Sequence, residues 1–262
     1  MTRLVADGHV HLYPFYDLPL AVAALEKNLR SHGLGGTPAG FLAERHDCHF
    51  FRDLREGRLR LPDLEFSLAG DAGCLALEGE NGPRLLLFAG RQIVTAERLE
   101  VLLLTVDLPL ADGLPVAQVV ERAIAAGGVP VLAWAPGKWL FKRGEVVAGL
   151  LRRFAAGELL LGDTTLRPTL WGEPRLMRSA RRRGFGILAG SDPLPFPGEE
   201  VILGRYATVM DGDFDVDRPL AGVRRMLSSS GGLGAAVGSR GGVGETLRRL
   251  RGNARAKSNP TA

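Results

Sequence analysis

Leu4-Val5-Ala6-Asp7-Gly8-His9-Val10-His11 runs from a short apolar strand straight into a His-x-His pair. Alternate side chains of an extended segment share a face, so His9 and His11 project together, with Asp7 a further step along the same face. At the C-terminal end of a first barrel strand, that face looks into the mouth where such folds place their chemistry. Two neutral imidazoles there can hold a divalent metal. The chain has five histidines, and two of them sit at this one spot.

Working outward, strand-length apolar runs alternate with helix-length segments, the pattern of βα units and an α/β barrel. Leu18 to Leu29 places Leu25 and Leu29 on one helical face. Gly40 to Glu44 predicts the next strand, ending at Arg45-His46-Asp47-Cys48-His49. Phe66 to Ala69, Cys74 to Leu77 and Leu85 to Phe88 read as a hairpin-rich meander inserted between barrel units. Leu99 to Val106 reads as a strand buried on both faces. Strands at Val129 to Ala133, Leu159 to Leu161, Ile187 to Ala189 and Ala235 to Val237 follow, separated by helical patterns at 116–126, 145–156, 175–183 and 218–227. A last helix is predicted near Glu245 to Leu250. Residues 253–262 lack periodicity and are expected to be a disordered tail, leaving 1–252 as a single domain.

The 262 residues, 45% hydrophobic and 24% charged, suit one globular domain of barrel size. No N-terminal signal-peptide pattern is present, and no apolar run approaches the ~20 residues of a membrane helix. Cys48 and Cys74 make no disulfide framework, which points to a reducing cytoplasm. From Arg240 onward, six basic residues face one acidic residue, which more than accounts for the chain's net +4. No aromatic residues interleave with those charges, which argues against a nucleic-acid partner.

Other candidates flank the His-x-His pair. His46 and His49 follow the second strand and reach toward the same mouth as ligands, with a locally bonded polar loop as the alternative. Asp192, in Gly190-Ser191-Asp192-Pro193 after a late strand, can ligate a metal or act as general base; its alternative is turn chemistry. Arg45, Arg91, Lys138, Arg167 and Arg205 lie near predicted strand ends, where arginine suits an anionic substrate.

Asp7-Gly8-His9-Val10-His11, Gly90-Arg91-Gln92, Gly127 to Pro136 and Gly190-Ser191-Asp192 occur in the order of the motifs of the PHP (polymerase and histidinol phosphatase) family, which the chain resembles from about residue 5 to about residue 205. The resemblance implies a distorted TIM-like (β/α)7 barrel, here with an inserted β-hairpin region. It also implies zinc, manganese or iron and phosphoester hydrolysis. Carried over residue by residue, the family's bridging glutamate falls at Gln92, a later histidine at Trp134, and a final histidine at Leu194. Asp163 is a conjectural replacement ligand. The expectation is therefore one divalent ion per chain, held by His9, His11 and Asp192 with help from Asp7, His46 or His49. The function expected is hydrolysis of a small anionic substrate, with Asp192 as base or ligand. The alternative is a non-catalytic barrel that binds a ligand or a protein partner.

Overall fold

The computed structural model describes residues 2–80, 82–215, 217–229 and 231–258. In chain order its first half contains β1 (Thr2–Val10), α1 (Leu18–Ser31), β2 (Thr37–Leu42), α2 (Phe50–Arg55), β3 (Phe66–Leu68), β4 (Cys74–Leu77), β5 (Leu85–Phe88), β6 (Gly90–Val94) and β7 (Glu100–Leu104). The second half adds α3 (Val116–Ala125), β8 (Val129–Ala133), α4 (Phe141–Arg153), β9 (Leu160–Thr164), α5 (Arg175–Arg182), β10 (Ile187–Gly190), β11 (Tyr206–Gly212), α6 (Pro219–Ser228), β12 (Leu233–Gly238) and α7 (Val243–Ser258).

Local chemistry sets several of these boundaries. Asp17 accepts a hydrogen bond from Leu20 N at 3.0 Å and so caps α1. Gly127, at φ 72, turns the chain out of α3 in a conformation that favours glycine. Along β1, Leu4 and Ala6 enter one apolar cluster and Val5 enters another, as the two-residue period requires.

The strands make two sheets, not the single closed ladder of a regular TIM barrel. One sheet has the order β12-β11-β1-β2-β5-β4-β3 and the other β10-β9-β8-β7-β6. Three strands are reversed within these sheets: β4, β7 and β11 each run antiparallel to both neighbours. The ladders joining β1 to β2, β2 to β5, β8 to β9 and β9 to β10 are parallel. The meander is an insertion only in part, because β5 pairs with β2 as a member of the main sheet.

The sheets meet at two seams. At one, Glu44 bridges Arg91 beside β6. At the other, β1 and β10 approach so closely that side chains are excluded. A Cβ on Gly8 would lie 2.4 Å from Leu188 Cγ, and one on Gly190 would lie 2.5 Å from His9 N. Glycine at both positions is what brings the His-x-His pair and the Gly190-Ser191-Asp192 turn together.

Between the sheets lies a core that includes Leu4, Phe41, Phe88, Leu102, Val131 and Met210. Outside them, α1 packs Val22, Leu25 and Leu29 on one sheet, while Val119, Val147, Leu150 and Met177 cover the other. At the C-terminal end of the chain, α7 continues through Ser258. Residues 253–258 are thus helical rather than part of a disordered tail, and 259–262 lie outside the described residues. No helix among the described residues is long and apolar enough to cross a membrane.

Candidate metal centre

Donor groups converge where β1 and β10 end. His9, His11 and Asp192 are all buried, and one donor atom of each lies within 4.8 Å of the others. The two Nε2 atoms are 3.0 Å apart. Asp192 Oδ1 stands 3.6 Å from His9 Nε2 and 3.8 Å from His11 Nε2. Ligands arranged tetrahedrally about 2.1 Å from an ion sit about 3.4 Å from one another. The three observed gaps straddle that value, so the donor set fits one ion of zinc size. Gln92 Oε1, 3.1 Å from His9 Nε2, stands where it could serve as a fourth donor.

Electrostatics favour a cation at this point. Burial drives the His11 imidazole well below its ordinary value, with His9 and Arg45 acting in the same direction, so the ring is neutral and ready to donate a lone pair. Burial pushes the Asp192 carboxyl up, against the opposing pull of His9. A buried carboxylate of this kind is costly until a positive charge joins it. His9 Nδ1 has no hydrogen-bond partner among the described residues, so the polar contacts of this ring lie on its Nε2 edge.

The Asp192 turn is held from several directions. Its backbone has φ 50, in the left-handed region that aspartate tolerates better than most residues. Asp192 N donates to His9 O at 3.0 Å, and Asp192 O accepts from Arg249 Nη2 at 3.1 Å. Arg249 is itself buried, donates to Glu199 at 2.7–2.9 Å and reaches Thr165 Oγ1 at 2.8 Å. Downstream, Tyr16 Oη donates to Leu194 O at 2.7 Å. The sequence analysis placed Arg249 in a basic terminal segment; its helical spacing from Thr246 was the signal that it faces inward.

The same architecture occurs in solved structures. PsfC from Pseudomonas syringae PB-5123 superposes with a TM-score of 0.62 at 18% identity, covering 98% of this chain and 99% of that one. A two-domain protein containing a predicted PHP-like metal-dependent phosphoesterase from Bacteroides vulgatus ATCC 8482 gives 0.51 at 14% identity, over 91% of this chain and 65% of that one. The fold is PHP-like. The lesion-specific endonuclease PfuEndoQ from Pyrococcus furiosus gives 0.52 at 12% identity, over 90% of this chain and 59% of that one. This chain therefore spans less than two thirds of the length of the last two. No protein-family model and no curated protein matches the sequence.

Within this PHP-like fold, several expected ligands are engaged elsewhere. Asp7 accepts hydrogen bonds from His9 N (3.0 Å), Ser191 N (2.8 Å), Ser191 Oγ (2.5 Å) and Gly204 N (2.8 Å), so it ties strands together and is not a metal ligand. Burial holds its carboxyl above the ordinary value, with those four bonds opposing. The β1–β2 register shifts between Asp7 and Val10, which breaks the simple alternation expected from sequence. His46 stands exposed at the rim, 3.9 Å from Asp112. His49 precedes α2, and its Nδ1 accepts from Arg52 and Arg91 at 2.8 and 3.1 Å. Neither histidine joins the cluster. Asp163 is taken by Arg167 at 2.5 and 2.7 Å and by Tyr206 Oη at 2.9 Å, so it replaces no lost ligand.

Most of the expected substrate arginines in this PHP-like fold are internal struts. Arg91 is buried and donates to Asp107 at 2.6 Å and to Cys48 O at 2.7 Å. Arg167 is spent on Asp163 and on Trp171 O at 2.8 Å. Arg205 pairs with Glu245 outside the cleft. Arg45 also has a carboxylate partner, Asp47 at 3.1 Å, but with Lys138 and Lys257 it lines a cleft of about 420 Å³ that has His11 and Asp192 in its wall. Arg45 sits 5.8 Å from the Tyr13 ring centroid, and Tyr13 stacks on His11 at 5.4 Å. Tyr13 and Glu100, the ion-pair partner of Lys138, also border the cleft; the sequence carried no motif that would have marked either.

Glu44, beneath Arg91, yields a pH prediction. It accepts from Phe51 N at 2.8 Å, securing the start of α2. Burial pushes its carboxyl to about 7 from an ordinary 4.5, opposed by Phe51 N and Arg91. The folded value is the higher one, so this contribution is fully present below pH 4.5 and is lost as pH rises to about 7. Linkage limits the loss to about 3 kcal/mol. Glu44→Gln is expected to flatten stability across that window. Urea unfolding at both ends checks this, and an undiminished pH slope in the variant would contradict it.

Proposed function

We propose that this chain hydrolyses a small anionic substrate, a phosphoester, using one divalent ion held by His9, His11 and Asp192. The observation that carries the reading is the convergence of these three buried donors beside a cleft that His11 and Asp192 line together with Arg45 and Lys138. The PHP-like fold of a neighbour described as a predicted metal-dependent phosphoesterase supports it. The two sheets are read as walls of one distorted (β/α)7-type barrel, parted at its seams. Cys48 and Cys74, both free and buried, suit a cytoplasmic setting.

An ion bound there would supply Lewis acidity toward a phosphoryl oxygen and acidify water. The chain's own groups do the rest. Arg45 and Lys138 attract and orient the anion, Arg45 being able to grip two oxygens at once. Asp192 would be the one carboxylate of the donor set, and its buried charge would be matched by the ion. Gln92 Oε1, beside His9 Nε2, would complete the donor set without adding a second negative charge. Leu194 lines the cleft where the resemblance implied a histidine, and Trp134 packs edge-on against Trp171 at a centroid distance of 5.9 Å. Those two replacements limit the site to one ion.

The test is metal uptake followed by turnover. Metal-free protein dialysed against zinc, manganese or iron(II) should retain about one ion per chain and then hydrolyse p-nitrophenyl phosphate. No uptake of any of the three would overturn the hydrolase reading in favour of a non-catalytic binding module.

A further inference from the structure

A second, apolar groove opens beside the metal cleft and shares two of its walls, Pro136 and Leu250. Its volume is about 400 Å³, within the range of small-molecule sites. One side is α7, where Val243, Leu247 and Leu250 recur at helical spacing. The other is the loop after β9, which presents Leu170 and Trp171. Leu170 is 90% exposed, while Trp171, Leu247 and Val243 are each about half exposed. Apolar groups of that size left in water side by side mark a binding surface. Thr246 adds a second observation: it is 3% exposed and lines the groove, and its Oγ1 has no hydrogen-bond partner among the described residues. Each unpaired buried hydroxyl is costly, and a ligand atom placed against it would remove that cost.

We infer that this groove binds the hydrocarbon part of the substrate whose anionic group sits in the metal cleft. The substrate class is then a phosphoester of an aryl or alkyl alcohol, not of a sugar or other polyol. This rests on the hydrolase reading above. Adjacency supports it: Leu250 and Pro136 border both cavities, so one molecule can reach from one into the other. Construction supports it as well. On α7, Arg249 anchors inward to Glu199 and to Asp192 O, which fixes the helix that presents Leu247 and Leu250 to the groove. A polar substituent in the groove would lose its water and meet few partners beyond Thr246, which selects against polyols.

Trp171 gives a direct readout, because Trp134 and Trp139 are buried and it alone of the three tryptophans is exposed. The metal-loaded protein is titrated with inorganic phosphate and with 1-naphthylmethylphosphonate, which has no ester bond to hydrolyse, following heat and tryptophan emission. The naphthyl phosphonate should bind at least about tenfold more tightly, as burial of an aromatic group implies, and should perturb Trp171. Leu247→Asp should erase that margin while leaving phosphate binding unchanged. Leu170→Ser, at a side chain almost wholly in water, serves if Leu247→Asp fails to fold. Equal affinities for the two anions overturn the groove assignment alone. Failure of both anions to bind overturns the phosphoester reading and the groove with it. Two further outcomes count against it: a dimer in sedimentation that Leu247→Asp dissociates, or co-pelleting with phosphatidylglycerol vesicles that the same change abolishes.

Discussion

Alanine at both His9 and His11 is expected to reduce bound metal from about one ion per chain to none and to bring phosphoester hydrolysis to background. Two of the three strong donors are lost, and Asp192 with Gln92 cannot retain a divalent ion against water. Plasma emission spectroscopy after gel filtration measures the change, and metal retained at the wild-type level would place the ion elsewhere. Both rings are buried, and His11 stacks on Tyr13, so the double variant also leaves a void. Its thermal midpoint in chelator must be compared with that of metal-free wild type before the loss is assigned to ligation. Gln92→Glu provides the opposite arm. Its carboxylate would stand near His9 Nε2 and Asp192, adding a buried negative charge. Metal-free, the variant should unfold at lower temperature than wild type, because two carboxylates then share one dry site. With zinc the order should reverse, since an anionic oxygen binds the ion better than an amide does. Ligation alone predicts that crossing of midpoints.

The His-x-His signal and the Asp192 turn were legible because each sits at the end of a strand whose period the sequence displays. The Val129–Ala133 strand was predicted with the bounds the structure gives it. Asp7 misled for a physical reason: two-residue spacing placed it on the ligand face, but the irregularity after it and four waiting donors turned it inward. Arg91 and Arg167 read as substrate-facing and His49 as either a ligand or a locally bonded residue. His49 accepts from Arg52 three positions on, and Arg167 meets Asp163 and Trp171 O, each four positions away. The partners of Arg91, by contrast, are set by tertiary approach. Arg91 meets Cys48 O across 43 positions of sequence, and no local pattern encodes that. β6 was seen only as the motif Gly90-Arg91-Gln92, and β11 was missed. In β11 Thr208 and Asp211 interrupt the apolar run, although Thr208 is buried and its Oγ1 accepts from Ala189 N at 2.8 Å. α7 was underestimated because its exposed charges outnumber its inward groups: Arg249 and Thr246 face inward, and the groove wall it builds rests on Val243, Thr246, Leu247 and Leu250.

Asp7→Ala is expected to be the most damaging single substitution for stability, costing about 4 kcal/mol or more. Its carboxylate is wholly buried and accepts from three backbone amides and one hydroxyl on three separate segments, at His9, Ser191 and Gly204. Removal leaves those donors unpaired where water does not reach, at about 1–3 kcal/mol for each group that cannot relax. The effects will not sum fully, since Ser191 Oγ can rotate toward His9 O, now 3.5 Å away. Even so, the loss is a large fraction of the roughly 5–15 kcal/mol that holds a domain together. Asp7→Asn should fall between the two, because its single oxygen can satisfy only part of the set while its amide opposes the remaining N–H groups. Arg3→Ala on the same strand provides the contrast. Arg3 reaches Asp211 at 2.8 Å, but both side chains are more than a third exposed, and solvent screens such a pair so that it contributes little. Urea unfolding of the three metal-free variants orders them. Asp7→Ala no worse than Arg3→Ala would show that the β1–β10 seam is held by the close approach of Gly8 and Gly190, without the carboxylate.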